Sequence, residues 1–373
     1  MMNLSGRSKP RSGLLITTCL LLLSACGDEP QPLTIAVEYP ADNEADITRD
    51  LIELTELATV AARDEALEEE PSAGKILRFN QPIHVGCLRA DFSVEADLPD
   101  ELKVGLFSAP QTYPTWIRFA NATNQPDTKK DFRGMSLKLM NVGGDKLLGQ
   151  GDTQDFILNS HPVLFVGNPA DFRDFVDDSV NSGPLRFFLN PLDSHIKEFR
   201  IVIAGRQHHP SHLVIPYWST TPYLFGAGRA VKYSVRSCQQ DNDVELPRKL
   251  TDGYLRAAMR QQMAVEGACF DFMVQFQTDA DLMPIEDATV EWDESVSPFR
   301  KVAQINILPQ TFESPEQMEF CESLAFNPWR SLPEHRPLGG INRVRKDLYQ
   351  ELAGFRHERN GVDYEEPNGE ETF

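Results

Sequence analysis

The close succession of short strand-like segments through the middle of this chain, with helical patterns before and after them, constrains its fold more than any other feature. Such segments lie at Gly86–Val94, Thr115–Ala122, Gly134–Asn141 and Val163–Gly167. They recur at Phe199–Ile203, Ala230–Ser237, Phe270–Thr278 and Val302–Leu308. Asn-Val-Gly-Gly at 141–144 is a turn signal between two of them. Upstream, Ile47, Leu51, Leu54, Leu57 and Val60 recur at helical spacing between Asn43 and Glu70, and Pro71-Ser72-Ala73-Gly74 ends that pattern. Further helices are expected at Pro169–Asp178, Asp252–Val265, Ser314–Glu322 and Val344–Glu358. No repeat of fixed period occurs. The pattern predicts an α+β chain, an antiparallel β-barrel or sheet with an N-terminal helix and C-terminal helices.

Charge and motifs narrow the function. The chain carries 36 Lys and Arg against 56 Asp and Glu, a formal charge of −20, which excludes nucleic acid as an expected partner. There is no CxxC, no Walker loop and no GxGxxG, which disfavours the common nucleotide enzymes. Six cysteines in 373 residues are too few and too scattered for a disulfide scaffold or a zinc module. Whether Cys87, Cys238, Cys269 and Cys321 pair stays open at this stage. His208, His209 and His212 have metal-like spacing but lack an acidic partner, and His161 reads as structural.

The chain opens like an export signal. Arg7, Lys9 and Arg11 precede an apolar run from Leu14 to Leu23 that is too short to span a bilayer, and Leu23-Ser24-Ala25-Cys26 follows. Those four residues resemble a bacterial lipobox. The resemblance implies that residues 1–25 are a signal peptide, that Cys26 is lipidated, and that the rest is a membrane-anchored lipoprotein facing the periplasm. The alternative is an ordinary signal peptide cut after Ala25. Residues 26–42, with Pro30, Pro32 and Pro40, read as a tether, 43–359 as the folded domain, and 360–373 as a frayed acidic tail.

Within the domain, three stretches resemble the haem-containing catalase superfamily. Asp131-Phe132-Arg133-Gly134-Met135-Ser136-Leu137-Lys138-Leu139 is similar to that family's Asp-x-Arg-Gly-Phe-Ala-Val-Lys-Phe strand, and Trp116-Ile117-Arg118-Phe119 precedes it like the family's Val-Arg-Phe-Ser. Asp155-Phe156-Ile157-Leu158-Asn159-Ser160-His161-Pro162-Val163 resembles Asp-x-x-x-Asn-Asn-x-Pro-Val. Tyr217-Trp218-Ser219, Pro222-Tyr223-Leu224-Phe225-Gly226 and Ala230-Val231-Lys232-Tyr233 make the third. The resemblance implies a catalase-like antiparallel barrel and a haem b cofactor. It implies acid/base work at His84 and peroxide positioning by Asn159. Arg118 would pair with a haem propionate, and Phe165 would line the haem pocket. From residue type alone, His84 also reads as a strand histidine bonded to the backbone, Asn159 as a turn residue, Arg118 as a solvated face and Phe165 as core.

The chain departs from the family where the iron ligand belongs. The family's Arg-x-Phe-x-Tyr-Pro-Asp-Thr-x-x-x-Arg-Leu-Gly segment, anchored on Leu338-Gly339, puts Arg330 opposite the tyrosine, and arginine cannot ligate iron. His335 is the conventional ligand left inside that segment, and Tyr349 is the nearest tyrosine downstream. A backbone-bonded loop histidine is the other reading of His335. Ala120 stands where a serine hydroxyl is expected behind His84, and Val85 replaces the lysine after it. Two functions follow. One is a haem enzyme acting on hydrogen peroxide or an organic, lipid-like hydroperoxide. The other is a non-catalytic barrel lipoprotein that binds haem, a lipid or a partner protein. The oligomeric state is not legible.

Overall fold

The structure is a computed structural model and describes residues 32–69, 74–238 and 244–373. Cys26 and the export-like segment lie outside the described residues, so the lipoprotein expectation has no structural counterpart. No helix of the described residues is long and apolar enough to cross a membrane.

Nine antiparallel strands make the sheet, β1 (Ile83–Val94), β2 (Thr112–Asn121), β3 (Arg133–Leu139), β4 (Gln154–Asn159), β5 (Tyr217–Trp218), β6 (Tyr223–Leu224), β7 (Ala230–Ser237), β8 (Ala268–Phe276) and β9 (Arg300–Ile307). Their spatial order is β5-β4-β3-β2-β1-β9-β8-β7-β6. A further pairing of β5 with β7 (Tyr217 opposite Val235, Trp218 opposite Ser234) closes eight of them into a barrel. Closure removes the sheet's free edges, and alternate residues must then fill the interior. Leu88 and Phe92 of β1, Ile117 and Phe119 of β2, Leu137 of β3, Phe156 of β4 and Phe272 of β8 do so. Phe92, Phe156 and Phe272 meet edge-on or stacked, with ring centres 4.9–6.3 Å apart. A bulge in β1 between His84 and Gly86 re-aims the strand at its start. A Cβ on Gly86 would lie 2.6 Å from the Phe312 ring, so only glycine fits there.

Helices cover one side. α1 (Glu44–Glu69), α2 (Pro169–Asn181) and α7 (Gly340–Asn360) share a core of Ile47, Leu51, Val176, Val344 and Leu348. Asn168 caps α2 by accepting the Asp171 amide at 3.0 Å. The remaining helices are α3 (Leu185–Leu189), α4 (Ile196–Gly205), α5 (Tyr254–Met263) and α6 (Pro315–Ser323). The four cysteines pair: Cys87–Cys321 ties β1 to α6, and Cys238–Cys269 ties the end of β7 to β8.

Four expectations change. Phe199–Ile203 is helical, within α4, because Phe199 and Val202 turn one helical face onto the Phe187 and Phe188 cluster. A five-residue apolar run does not distinguish that from a strand. Val163–Gly167 is not a strand, and the pairing residues are those of β4, just before Pro162, which has no N–H to give a ladder. Residues 33–42, read as tether, are seated on the domain. Glu38 pairs with Arg336 and Arg343 at 2.6 Å each, while Glu44 and Glu286 also bind Arg343. The 360–373 tail is likewise docked. Glu371 accepts from the Trp116 indole at 2.8 Å, and Glu366 pairs with Lys138 at 2.9 Å and Arg330 at 2.7 Å.

Lys138 and Asp155 are both wholly buried, 2.7 Å apart. Removing one partner of such a pair leaves an uncompensated charge inside the protein. Lys138→Met is expected to destabilise by about 3–5 kcal/mol in denaturant unfolding. Adding Asp155→Asn should recover part of the loss, and an unchanged midpoint for Lys138→Met alone would show that the pair contributes nothing.

Candidate functional site

A cavity of about 210 Å³ lies where β2–β4 meet α1, α2 and α7. One face of α7 lines it, through Ile341, Arg345, Leu348, Tyr349, Leu352 and Arg356. Their spacing of three, four and seven is the periodicity of a single helix face. Phe165, Phe172 and Ile157 make much of the remaining wall apolar.

Asn159, the last residue of β4, sits opposite Gly134 of β3 and Trp218 of β5 and lines the cavity. Its Oδ1 is buried without a hydrogen-bond partner. A buried amide oxygen in a cavity wall, without a protein partner, is free to accept a hydrogen bond from a water or a ligand there. Phe165 also lines the cavity and packs edge-on to Phe175 at 4.7 Å. Arg118, mid-β2, is buried in the wall, not on a solvated face. Its Nη1 donates to the Leu324 carbonyl at 2.8 Å, and its guanidinium lies 4.6 Å from the Phe326 ring centre. Its Nε has no partner. Burial, then the charges of Arg78 and Arg356, pull its proton affinity well below the usual arginine range.

His84 is beside the cavity, not in its wall, and Gln81 occupies the wall three residues earlier. Gln81 has φ +56°, and its side chain fills the space over Gly134. The His84 Nδ1 is 3.0 Å from the Glu322 carboxylate, and its Nε2 is buried with no partner. Burial lowers its proton affinity, and Glu322 offsets part of that effect.

His335 lies away from the cavity. It ends a 3₁₀ turn at Pro333–His335, is almost fully buried, and its Nε2 accepts the Leu106 amide at 3.0 Å. Its ring packs against Phe107 and Phe225, and it does not line the cavity. The lone pair that would ligate iron is already spent on a backbone amide, and burial holds the ring neutral, with a pKa of about 4. Arg330 pairs with Asp155 and Glu366. His212 is buried, with Nδ1 3.0 Å from the Tyr217 hydroxyl. Among the described residues no group of three His, Cys, Asp or Glu could hold a metal ion.

Sequence reading missed the α7 residues. Tyr349 brings a phenol to the wall, and the Arg345 guanidinium lies 5.0 Å from its ring centre. Arg345 donates to the Asn342 side chain at 3.1 Å, and its Nε is buried without a partner. The signal was present in spacing. The spacing Arg-x3-Tyr-x6-Arg of that segment fits Arg345, Tyr349 and Arg356, although Asp347 stands where the segment has phenylalanine. Anchoring on the dipeptide Leu338-Gly339 hid it.

Arg78 and Arg356 also line the cavity, so three guanidiniums with Arg118 gather near one carboxylate, Glu322. Glu322 pairs with Arg78 at 2.9 Å and Arg356 at 3.4 Å. The excess positive charge suits a ligand bearing carboxylates.

Burial alone would raise the Glu322 carboxyl, but Arg78, His84 and Arg356 outweigh it and hold the group at about 2. A carboxyl depressed on folding stabilises the native state above its unfolded pKa and loses that contribution as pH falls through the folded value. Stability is therefore expected to drop between about pH 4.5 and pH 2, a window set by the ordinary and depressed values of this group. Denaturant midpoints measured across that window should fall less steeply in Glu322→Gln, and equal slopes would remove Glu322 from the acid response.

No protein-family model matches the chain, and no curated protein matches it. Solved structures do. A fungal catalase aligns with TM-score 0.62 at 17% identity, over 79% of this chain and 62% of its own. Catalase A from Saccharomyces cerevisiae aligns with TM-score 0.62 at 17% identity, over 82% and 68% respectively. A bacterial catalase gives 0.56 at 16%, over 89% and 64%. The chain thus spans about two thirds or less of the length of most of these structures. At such identities the likeness is one of backbone, and the closed antiparallel barrel with its flanking helices is the catalase fold.

Proposed function

We propose that the cavity holds haem b and that the protein reduces or dismutates hydrogen peroxide or an organic hydroperoxide. The observation that carries the reading is the joint lining of one cavity by Tyr349 with Arg345, by Asn159 and by three arginines. A phenolate oxygen is an established axial donor to haem iron. Arg78, Arg118 and Arg356 would hold its propionates by charge-assisted hydrogen bonds. Bound haem would supply the redox chemistry.

The chain's own residues would do the rest. Asn159 would hold peroxide through its side-chain amide. His84 would accept a proton at Nε2 and return it to the departing oxygen. Phe165 and its apolar neighbours would exclude water. The apolar wall favours hydroperoxides with a hydrocarbon tail, and the export-like start ending in Cys26 would put the enzyme on the outer face of a bacterial membrane as a lipoprotein.

One observation favours a second reading, a non-catalytic barrel that binds haem, a lipid or a partner protein. His84 lies outside the cavity wall while Gln81 stands in it.

Visible spectra of the protein supplied with haem separate the readings. A high-spin Soret band lost or shifted in Tyr349→Phe, and unchanged in His335→Ala folded to the same extent, is expected. Peroxide consumption should fall about 100-fold in His84→Ala. No Soret band at stoichiometric haem would overturn the haem reading. A band without turnover would leave the binding protein.

A further inference from the structure

We infer that Glu322 is the positioning residue for His84, taking over the role of a hydroxyl that β2 does not supply. This inference rests on the acid/base reading of His84 above. The residue directly opposite His84 on β2 is Ala120, so the neighbouring strand offers only a methyl group behind the imidazole. The partner comes from a different element. Glu322, on α6, reaches the imidazole with Oε2 at 3.0 Å from Nδ1.

A carboxylate can only accept, so Nδ1 carries the donated proton, and in the neutral ring Nε2 carries the bare lone pair. That Nε2 is buried and makes no hydrogen bond, so its lone pair is not committed to another group of the protein. Glu322 remains ionised because Arg78 and Arg356 face its other oxygen. Arg78 is itself fixed by the carbonyls of Gln81 and Pro82, just before His84. α6 is clamped to β1 by the Cys87–Cys321 disulfide, one residue from Glu322, and by Gln317 donating to the Cys87 carbonyl at 3.0 Å. The charged groups about His84 are then Arg78 from the segment before β1, Arg118 from β2, Glu322 from α6 and Arg356 from α7, with Arg256 of α5 donating to its backbone carbonyl. A carboxylate orients the ring and also stabilises the imidazolium that forms when the proton is taken.

The test reads the imidazole directly. The full-length protein, labelled with ¹⁵N-histidine and free of haem, is titrated by NMR, with His84→Gln assigning the resonance. Wild type is expected to carry its proton on Nδ1. Glu322→Gln, whose amide oxygen still accepts, should keep that tautomer but take up the second proton at lower pH. Glu322→Ala should lose the tautomer preference as well. In haem-loaded protein, Glu322→Ala should consume peroxide about 100-fold more slowly with an unchanged Soret band, and Glu322→Gln should fall between. A wild-type His84 protonated on Nε2 would overturn the inference, as would a titration that neither variant moves. Should Glu322→Ala fail to fold, the wild-type tautomer and Glu322→Gln still decide it. Failure to bind haem would sink the proposed function and leave the NMR result standing.

Discussion

The carboxylate of Glu322 is where the candidate site is held together. It meets Arg78 from the segment before β1, His84 from β1 and Arg356 from α7, and it is carried on α6. All four side chains are largely buried. Taking charges out of water is expensive, and a lone guanidinium at this depth would not persist without a partner. One carboxylate among several cations satisfies the geometry but not the charge. Arg118 instead donates to the Leu324 carbonyl, and burial beside Arg78 and Arg356 pulls its proton affinity well below the usual arginine range.

The barrel makes that arrangement possible. Closure fills the interior with apolar side chains, so the chemistry cannot sit inside as it does in a wider barrel. Polar groups are displaced to the strand ends and to the seam with α7, where Asn159 ends β4 and Arg118 faces Phe326. α7 is in turn fixed by Arg343, which binds Glu38, Glu44 and Glu286 and so pins the N-terminal segment, α1 and the 286 loop to one helix. The buried Lys138–Asp155 pair and the docked tail do the same on the other side of β3. Long-range ion pairs, more than local propensity, set the position of the cavity wall.

Much of the fold was legible. β1, β2, β3, β7, β8 and β9 follow the alternating runs to within a few residues, and α1, α2, α5, α6 and α7 follow helical spacing. The error at Phe199–Ile203 came from a run too short to separate periods of 2 and 3.6. Asn159, Phe165 and Arg118 line one cavity, and the motifs that carry them are contiguous along the chain. Tyr349 was missed for the opposite reason. Its partners in the site are dispersed along α7, and a two-residue anchor outweighed a spacing that the helix face makes meaningful.

By itself the sequence determined most of the strand and helix content, an antiparallel barrel or sheet, and the acidic charge. Only the tertiary structure decided which of them meet. It put Tyr349 in the cavity wall and His335 away from it, with the His335 Nε2 bonded to the Leu106 amide. It paired Glu322 with His84 across 238 residues of chain, a contact set by the closing of the barrel and the seating of α6. Periodicity reports which face of an element is buried, but not which distant element covers it.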